Sequence, residues 1–178
     1  ERTFSPNRMI KIAITGPEST GKSTLAQQLA EHYKTAWVPE FARQYLAGLN
    51  RPYTLPDLEE IARGQLQLQQ AAESTPGAFL FSDTELLVMK IWSENAFGQC
   101  PAWILKKLEQ QNFDLYLLPD IDLPWEPDPQ REHPHLRRHF FDKYQEELVR
   151  YNFPYKIISG TRQQRFQAAL QALSPFKS

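Results

Sequence analysis

The stretch that most constrains this chain is residues 16–23, with the sequence GPESTGKS. It follows an apolar run at 10–15 and leads into a segment whose leucines have helical spacing, so we expect a strand, a tight turn and a helix in that order. The two glycines let backbone amides converge, and the helix directs its free N–H groups and positive dipole end at the turn. The pattern predicts a loop that binds nucleotide phosphates.

The polar positions of this loop have different expected tasks. Lys22 is long enough to reach the terminal phosphates, and the hydroxyl of Ser23 suits Mg²⁺. Further phosphate contacts are expected from the loop and the first turn of the helix, at Gly16, Ser19, Thr20, Gly21 and Thr24. A glycine-rich turn without a ligand is the alternative interpretation.

Length and charge limit the class of protein. A chain of 178 residues suffices for one domain with a full core and is short for two. Twenty basic and 21 acidic residues give no bulk electrostatic attraction to nucleic acid or a membrane surface. The single cysteine, Cys100, suits a reducing compartment, and no apolar stretch reaches the roughly 18 residues of a membrane span. We expect a cytoplasmic protein that binds neither nucleic acid nor a membrane, and the sequence leaves its oligomeric state open.

Apolar runs and helical patterns alternate along the chain. Strands are predicted at 10–15, 36–39, 78–82, 114–118 and 155–158, and helices at 22–33, 40–46, 54–73, 86–97, 102–111, 135–151 and 162–173. Such alternation favours a parallel sheet covered on both faces. We therefore predict an α/β, three-layer P-loop NTPase fold with a five-stranded parallel sheet. Residues 9–178 form its single domain, and residues 1–8 are expected to be a flexible tail.

Carboxylates follow several predicted strands, at the edge of the sheet where ligands bind. Asp83 ends a strongly apolar strand, and a carboxylate is costly to bury unless a cation or donor meets it. It could bind Mg²⁺, accept a proton from a hydroxyl, or cap the next helix. Glu40 and Arg43 suit sugar hydroxyls or a phosphate, the alternative being an ordinary surface pair.

A proline-rich segment at 119–134 is too irregular for a helix or an inner strand, and we predict a mobile lid at about 119–138. Phosphoryl transfer concentrates negative charge on the moving group, which an arginine can stabilise while a closing loop excludes water. Arg131 is the predicted lid arginine, and Arg137 and Arg138 are further candidates.

Together these motifs resemble the nicotinamide riboside kinase domain of NadR-type NAD-biosynthesis proteins, a P-loop kinase related to AAA-type ATPases. The resemblance extends over about residues 9–173 and rests on five segments, 16–23, 39–43, 64–65, 81–85 and 128–131. It implies ATP-dependent phosphorylation of the ribose 5′-hydroxyl of nicotinamide riboside. ATP, Mg²⁺ and a small riboside are the ligands it implies.

The resemblance also assigns roles to individual residues. It implies that Gly21, Lys22 and Ser23 bind ATP phosphates and Mg²⁺, and that Asp83 binds the metal or acts as the base. It also implies that Arg131 acts from the lid and that substrate is bound by Glu40, Arg43, Glu85 and Asp128. Pro129-Gln130 departs from the family, where a glycine-containing turn is usual. Another nucleoside or small-metabolite kinase is the alternative enzyme, and a regulatory ATP-binding module is the alternative outside this class.

Overall fold

The computed structural model describes residues 8–176, which contain five strands and seven α-helices. The strands are β1 (Ile10–Ile14), β2 (Trp37–Val38), β3 (Phe79–Asp83), β4 (Leu115–Pro119) and β5 (Tyr155–Ile158). The helices are α1 (Lys22–Tyr33), α2 (Phe41–Ala47), α3 (Leu55–Glu73), α4 (Leu86–Phe97), α5 (Ala102–Glu109), α6 (Arg137–Arg150) and α7 (Arg162–Leu173). Two 3-10 helices, Pro134–Leu136 and Ser174–Phe176, complete the described elements.

All five strands are parallel and lie in the order β2-β3-β1-β4-β5. The chain first builds the β2 and β3 side of β1 and then crosses to β4 on the other side. This change of direction leaves a crevice at the carboxyl end of β1, where ligands of such sheets bind. The phosphate loop begins there, and the predicted five-stranded parallel sheet is confirmed.

Successive side chains of the inner strands lie on opposite faces of the sheet, and each face has its own apolar core. Ile12 and Ile14 pack with α1 and α7, whereas Ala13 packs with α3, α4 and α6 on the opposite face. In β4, Leu117 and Leu118 divide in the same way, and all five side chains are fully buried. Full burial of one such Ile or Leu side chain is worth about 1.5–3 kcal/mol, so the two cores hold the three layers together.

Helices α2 and α3 pack tightly against each other at Gly64. A Cβ atom at this position would lie 2.1 Å from the ring of Phe41. The next side chain, Gln65, accepts from the Phe41 amide at 2.9 Å and donates to the Pro39 carbonyl at 3.1 Å. The glycine and glutamine together fix the start of α2, where Glu40 is the N-cap residue.

We expect Gly64→Ala to destabilise the protein by about 1–3 kcal/mol, because the Phe41 ring must move. The gain of about 0.5–1 kcal/mol in helix propensity offsets only part of this cost. Urea unfolding measures the change, with the exposed Gln67→Ala in the same helix as the control. A Gly64→Ala variant as stable as the wild type would show that the ring has room to move.

The chain before β1 is described from Arg8 onwards. The Arg8 guanidinium binds both oxygens of the Asp114 carboxylate, at 2.7 and 3.1 Å. The rest of the tail expected at 1–8 lies outside the described residues. No helix within residues 8–176 combines the length and the apolar character needed to cross a membrane.

Candidate active site

The loop between β1 and α1 is shaped by its own groups. Gly16 and Gly21 have φ angles of 138° and 79°, values that favour glycine. The Thr20 hydroxyl and the Lys22 ammonium both donate to the carbonyl oxygen of Pro17, each at 2.8 Å. The amide of Leu25 binds the Gly21 carbonyl, which leaves the amides of residues 22–24 without partners inside the helix. These amides form an anion-binding helix N-terminus.

A cavity of about 320 Å³ opens above the loop, a size typical of small-molecule sites. Its walls come from the loop, from α2, α4 and α6, and from residues 120–133, the irregular chain after β4 that we call the lid segment. The cavity brings together residues 16–24 with Glu40, Arg43 and Arg131, and the roles expected of them stay predictions. Its other side is more apolar and includes Val88, Ile91, Trp92, Phe140 and Tyr144.

Asp83 ends β3 beside the loop and is only 1% exposed. Its Oδ2 atom accepts a hydrogen bond from the Ser23 hydroxyl at 2.5 Å. Burial, and next the negative charge of Glu40, raise the pKa of Asp83 to about 6 although Lys22 opposes the shift. Within the described chain, no donor meets the other oxygen, Oδ1. A buried carboxylate oxygen without a donor indicates a ligand at this position.

Glu85 lies below the cavity and does not line it. Its carboxylate accepts from the Thr15 hydroxyl at 2.6 Å, the Leu87 amide at 2.7 Å and the Gln111 side chain at 2.8 Å. It therefore caps α4, the role that the sequence leaves open for Asp83. This geometry differs from the contact with substrate that the sequence predicts for Glu85. The chain turns inward after β3, and hydrogen bonds within the protein already occupy both oxygens of the Glu85 carboxylate.

Arg43 and Asp128, both expected to bind substrate, bind each other at 2.7 Å. The Gln130 side chain adds a hydrogen bond to the Arg43 carbonyl at 3.3 Å. The backbone amide of Gln130 and then the Arg43 guanidinium hold the pKa of Asp128 below its usual value. Arg43 still lines the cavity, whereas Asp128 lies outside its wall and attaches the lid segment to α2.

Two further contacts hold the lid segment over the site. The Glu126 amide donates to the Ser19 hydroxyl at 2.7 Å, directly on the phosphate loop. The Tyr53 hydroxyl donates to the Glu132 carboxylate at 2.9 Å and accepts from Trp92 at 3.0 Å. The lid segment is thus attached to the loop, to α2 and, through Tyr53, to α4.

The three candidate arginines have separate environments. Arg131 lines the cavity and donates to a carbonyl within the lid segment. Arg137 donates to the carbonyls of Leu123 and Ser19, at 2.7 and 3.3 Å, and so connects the lid segment to the phosphate loop. Arg138 is exposed and pairs with a carboxylate one turn along α6 at 3.7 Å. Of the three, Arg131 alone lines the cavity, and its role as the lid arginine stays a prediction.

Sequence reasoning missed three charged residues of this region. Glu18 lies at a variable position of the loop motif but lines the cavity, and burial raises its pKa. Arg162 also lines the cavity, while Arg165 lies behind the loop and donates to the Thr20 carbonyl at 2.6 Å. Both belong to α7, which follows β5 at the ligand edge of the sheet. The rule that ligands bind after strands, applied to β5, could have found them.

The central position of the phosphate loop and the buried carboxylate on the neighbouring strand define a phosphate-loop nucleotide-binding protein of the α/β class. Comparison of sequences narrows this class. The model of an AAA domain family matches residues 11–165, and the chain belongs to that family.

Named relatives lie among NAD-biosynthesis proteins. The trifunctional NAD biosynthesis/regulator protein NadR of Salmonella typhimurium is 29% identical over 121 residues, 66% of this chain and 30% of the relative. The chain thus matches about a third of that protein's length. Crystal structures of NadR with NR, and with NAD and AMP-PNP, have TM-scores of 0.80 and 0.74 and identities of 19% and 20%. They match 94% of this chain and about half of theirs, and they show the shared fold.

A nucleoside kinase has a related fold. The structure of deoxyadenosine kinase from M. mycoides with bound products covers 93% of this chain and all of its own, with 13% identity and a TM-score of 0.66. At this identity the likeness shows a shared fold and no more.

Proposed function

We propose that this protein is an ATP-dependent kinase that phosphorylates the 5′-hydroxyl of a riboside, with nicotinamide riboside as its substrate. The observation that carries the proposal is one cavity whose wall contains both the phosphate loop and Glu40, Arg43 and Arg131, with Asp83 beside the loop. The relationship to NadR, and its structures with NR and with AMP-PNP, support this choice of ligands. Because ATP and reduced thiols are cytoplasmic, we propose that location.

The residues beside the loop fit Mg²⁺. Asp83 offers a buried oxygen without a donor, and Ser23 offers a hydroxyl that already contacts the same carboxylate. No group of three or more His, Cys, Asp or Glu that could hold a metal ion occurs in the described residues. Nucleotide-bound Mg²⁺ typically needs only one or two carboxylates, since phosphates and water complete its coordination. When bound, the ion neutralises charge on the phosphates.

The donor side is formed by the loop amides and Lys22. The amides hold the phosphates, and the Lys22 ammonium, which donates to Pro17 within the same loop, is within reach of the terminal phosphate. Arg131 enters from the lid segment and stabilises the charge that develops on the transferred group. The closed lid segment also keeps water away from that group.

The acceptor side provides a site for a hydroxyl. Glu40 and Arg43 in the cavity wall bind the hydroxyls of the sugar. As the bond from the 5′-oxygen to the γ-phosphorus forms and the bond to the ADP oxygen breaks, the hydroxyl proton passes to a carboxylate. Asp83 and Glu40 are the candidates, and a pKa of about 6 brings Asp83 close to the working range of a general base.

The apolar side of the cavity suits the base. Trp92 and Phe140 provide aromatic surfaces, and Glu18 of the phosphate loop adds a carboxylate to the lining of the same cavity. The nicotinamide ring of a riboside is positively charged, so aromatic faces and a carboxylate favour it over an uncharged base. This electrostatic preference supports nicotinamide riboside over deoxyadenosine.

An ATP-coupled assay across ribosides tests the proposal. We expect transfer to nicotinamide riboside with a specificity constant at least about tenfold above that for deoxyadenosine, because one cation–π contact can supply this factor. The exposed Arg138→Ala is the matched control for Arg131→Ala, which should lose most activity. Transfer to deoxyadenosine alone would contradict the substrate. ADP release that no riboside stimulates would favour a regulatory ATP-binding module.

A further inference from the structure

Arg165 is a buried charge that the proposed chemistry does not use. It is the fourth residue of α7 and is 3% exposed. Burying a guanidinium is costly unless its charge is paired and its donors find partners. Arg165 directs four of its five N–H groups to acceptors, three carbonyl oxygens and one carboxylate.

The four acceptors come from three segments around the nucleotide loop. The Nη1 atom donates to the Thr20 carbonyl at 2.6 Å, inside the phosphate loop. The Nη2 atom donates to the Asp120 carbonyl at 2.7 Å and to the Asp122 carboxylate, at the beginning of the lid segment. The Nε atom donates to the Gly160 carbonyl at 2.9 Å, just after β5. One side chain therefore joins the loop, the lid segment and the last strand.

Asp122 closes this network. Its second oxygen accepts from the Gly160 amide at 2.6 Å. Although burial opposes the shift, the Gly160 amide and the Arg165 guanidinium lower the pKa of Asp122, so the carboxylate is charged at neutral pH. Gly160 has a φ angle of 103°, and a Cβ there would lie 2.5 Å from the Gln164 side chain. The turn that presents this amide and carbonyl to the network thus requires glycine.

The bond to Thr20 has a direct consequence for the next amide. A trans peptide is planar, and its C=O and N–H groups point in opposite directions. Because Arg165 does not line the cavity and holds the Thr20 carbonyl, the Gly21 N–H is directed away from Arg165. Rotation of this peptide plane would break the bond to Arg165.

We propose that Arg165 is a positioning residue for the donor nucleotide: it fixes the Thr20–Gly21 peptide for phosphate binding and couples it to the start of the lid segment. The inference rests on the proposed function only in taking ATP as the ligand of the loop. It does not depend on which riboside is the acceptor.

Binding of AMP-PNP, measured by calorimetry without an acceptor, tests this proposal. Arg165→Lys keeps the charge but cannot reach all four acceptors. We expect its Kd for AMP-PNP to rise about tenfold, the equivalent of one lost charge-assisted hydrogen bond. In turnover, KM for ATP should rise similarly while KM for the riboside changes less than about twofold, a split that lower stability alone does not produce.

Two further variants complete the test. Asp122→Asn leaves Arg165 in place and weakens one of its anchors, so it should raise the Kd in the same direction. Asp114→Asn removes a buried carboxylate that binds Arg8, at the opposite end of β4, and should leave the Kd unchanged. Unchanged binding in folded Arg165→Lys overturns the proposal, as does failure of both network variants to fold, which would make the network purely structural. No binding by the wild type would instead contradict the nucleotide site itself.

Discussion

The Lys22→Ala variant is expected to fold normally and to lose about 10²–10³-fold in kcat, the usual effect of removing one preorganised charge-stabilising donor. Within residues 8–176 the Lys22 ammonium donates one hydrogen bond, to the Pro17 carbonyl, so its removal costs the fold about 1 kcal/mol. Steady-state kinetics with ATP and nicotinamide riboside, together with a thermal melt, measure both effects.

Lys106→Ala is the matched control, because Lys106 is an exposed lysine on α5. Its kcat should remain within about twofold of the wild type. Full turnover by Lys22→Ala would contradict the assignment of the loop as the donor site. Loss of turnover accompanied by unfolding would instead assign Lys22 a structural role.

The Asp83→Asn variant is expected to lose about 10²–10⁴-fold in kcat, the range associated with a catalytic acid or base. Asparagine keeps the shape and can still accept from the Ser23 hydroxyl, but it binds neither a proton nor Mg²⁺ as a carboxylate does. The Mg²⁺ concentration for half-maximal rate should rise if Asp83 serves the metal. Asp142→Asn, at an exposed carboxylate of α6, is the control, and activity equal to the wild type would contradict the role of Asp83.

Stability of the ligand-free Asp83→Asn variant provides a second, independent measurement. The pKa of Asp83 is raised from 3.8 to about 6 by burial, so the folded state disfavours the charged form. Below the unfolded pKa the shift has no effect, and as pH rises towards 6 the unfolded chain ionises first and wild-type stability falls. Above pH 6 the cost is constant at roughly 2–3 kcal/mol. Denaturation at pH 5 and pH 8 should therefore show that the free energy of unfolding of Asp83→Asn, relative to that of the wild type, is higher at pH 8 than at pH 5. A difference between the two proteins that does not depend on pH would contradict the raised pKa.

Local patterns predicted most of the fold. The apolar run before Gly16 and the nearly unbroken one before Asp83 became the inner strands β1 and β3, because buried parallel strands need apolar residues on both faces. Helices were predicted to within about two residues at most of their ends. The largest differences are two residues: the helix expected from residue 135 begins with a 3-10 turn, so that α6 starts at Arg137, and the helix expected to reach residue 111 ends at Glu109.

Residues of the candidate site that follow strand ends could be predicted from the sequence. Hydrogen bonds and ion pairs between side chains far apart in the sequence could not. Glu85 lies only two residues beyond Asp83, the last residue of β3, but the residue between them, Thr84, has a φ angle of 79° that turns the chain. Nothing local indicates that Asp128 would pair with Arg43, 85 residues away. Arg165 is equally hidden, because a charged residue in an amphipathic helix looks like a solvated one until the tertiary structure surrounds it.

The two sides of the cavity differ in what they are made of, and this affects how the protein can evolve. The donor side consists mainly of backbone amides, which a point mutation seldom removes. The acceptor side consists of side chains on α2, α4 and α6, each of which a single mutation can replace. We therefore expect descendants of one ancestral gene to diverge more readily in the side chains of α2, α4 and α6 that line the cavity than in the backbone of the phosphate loop.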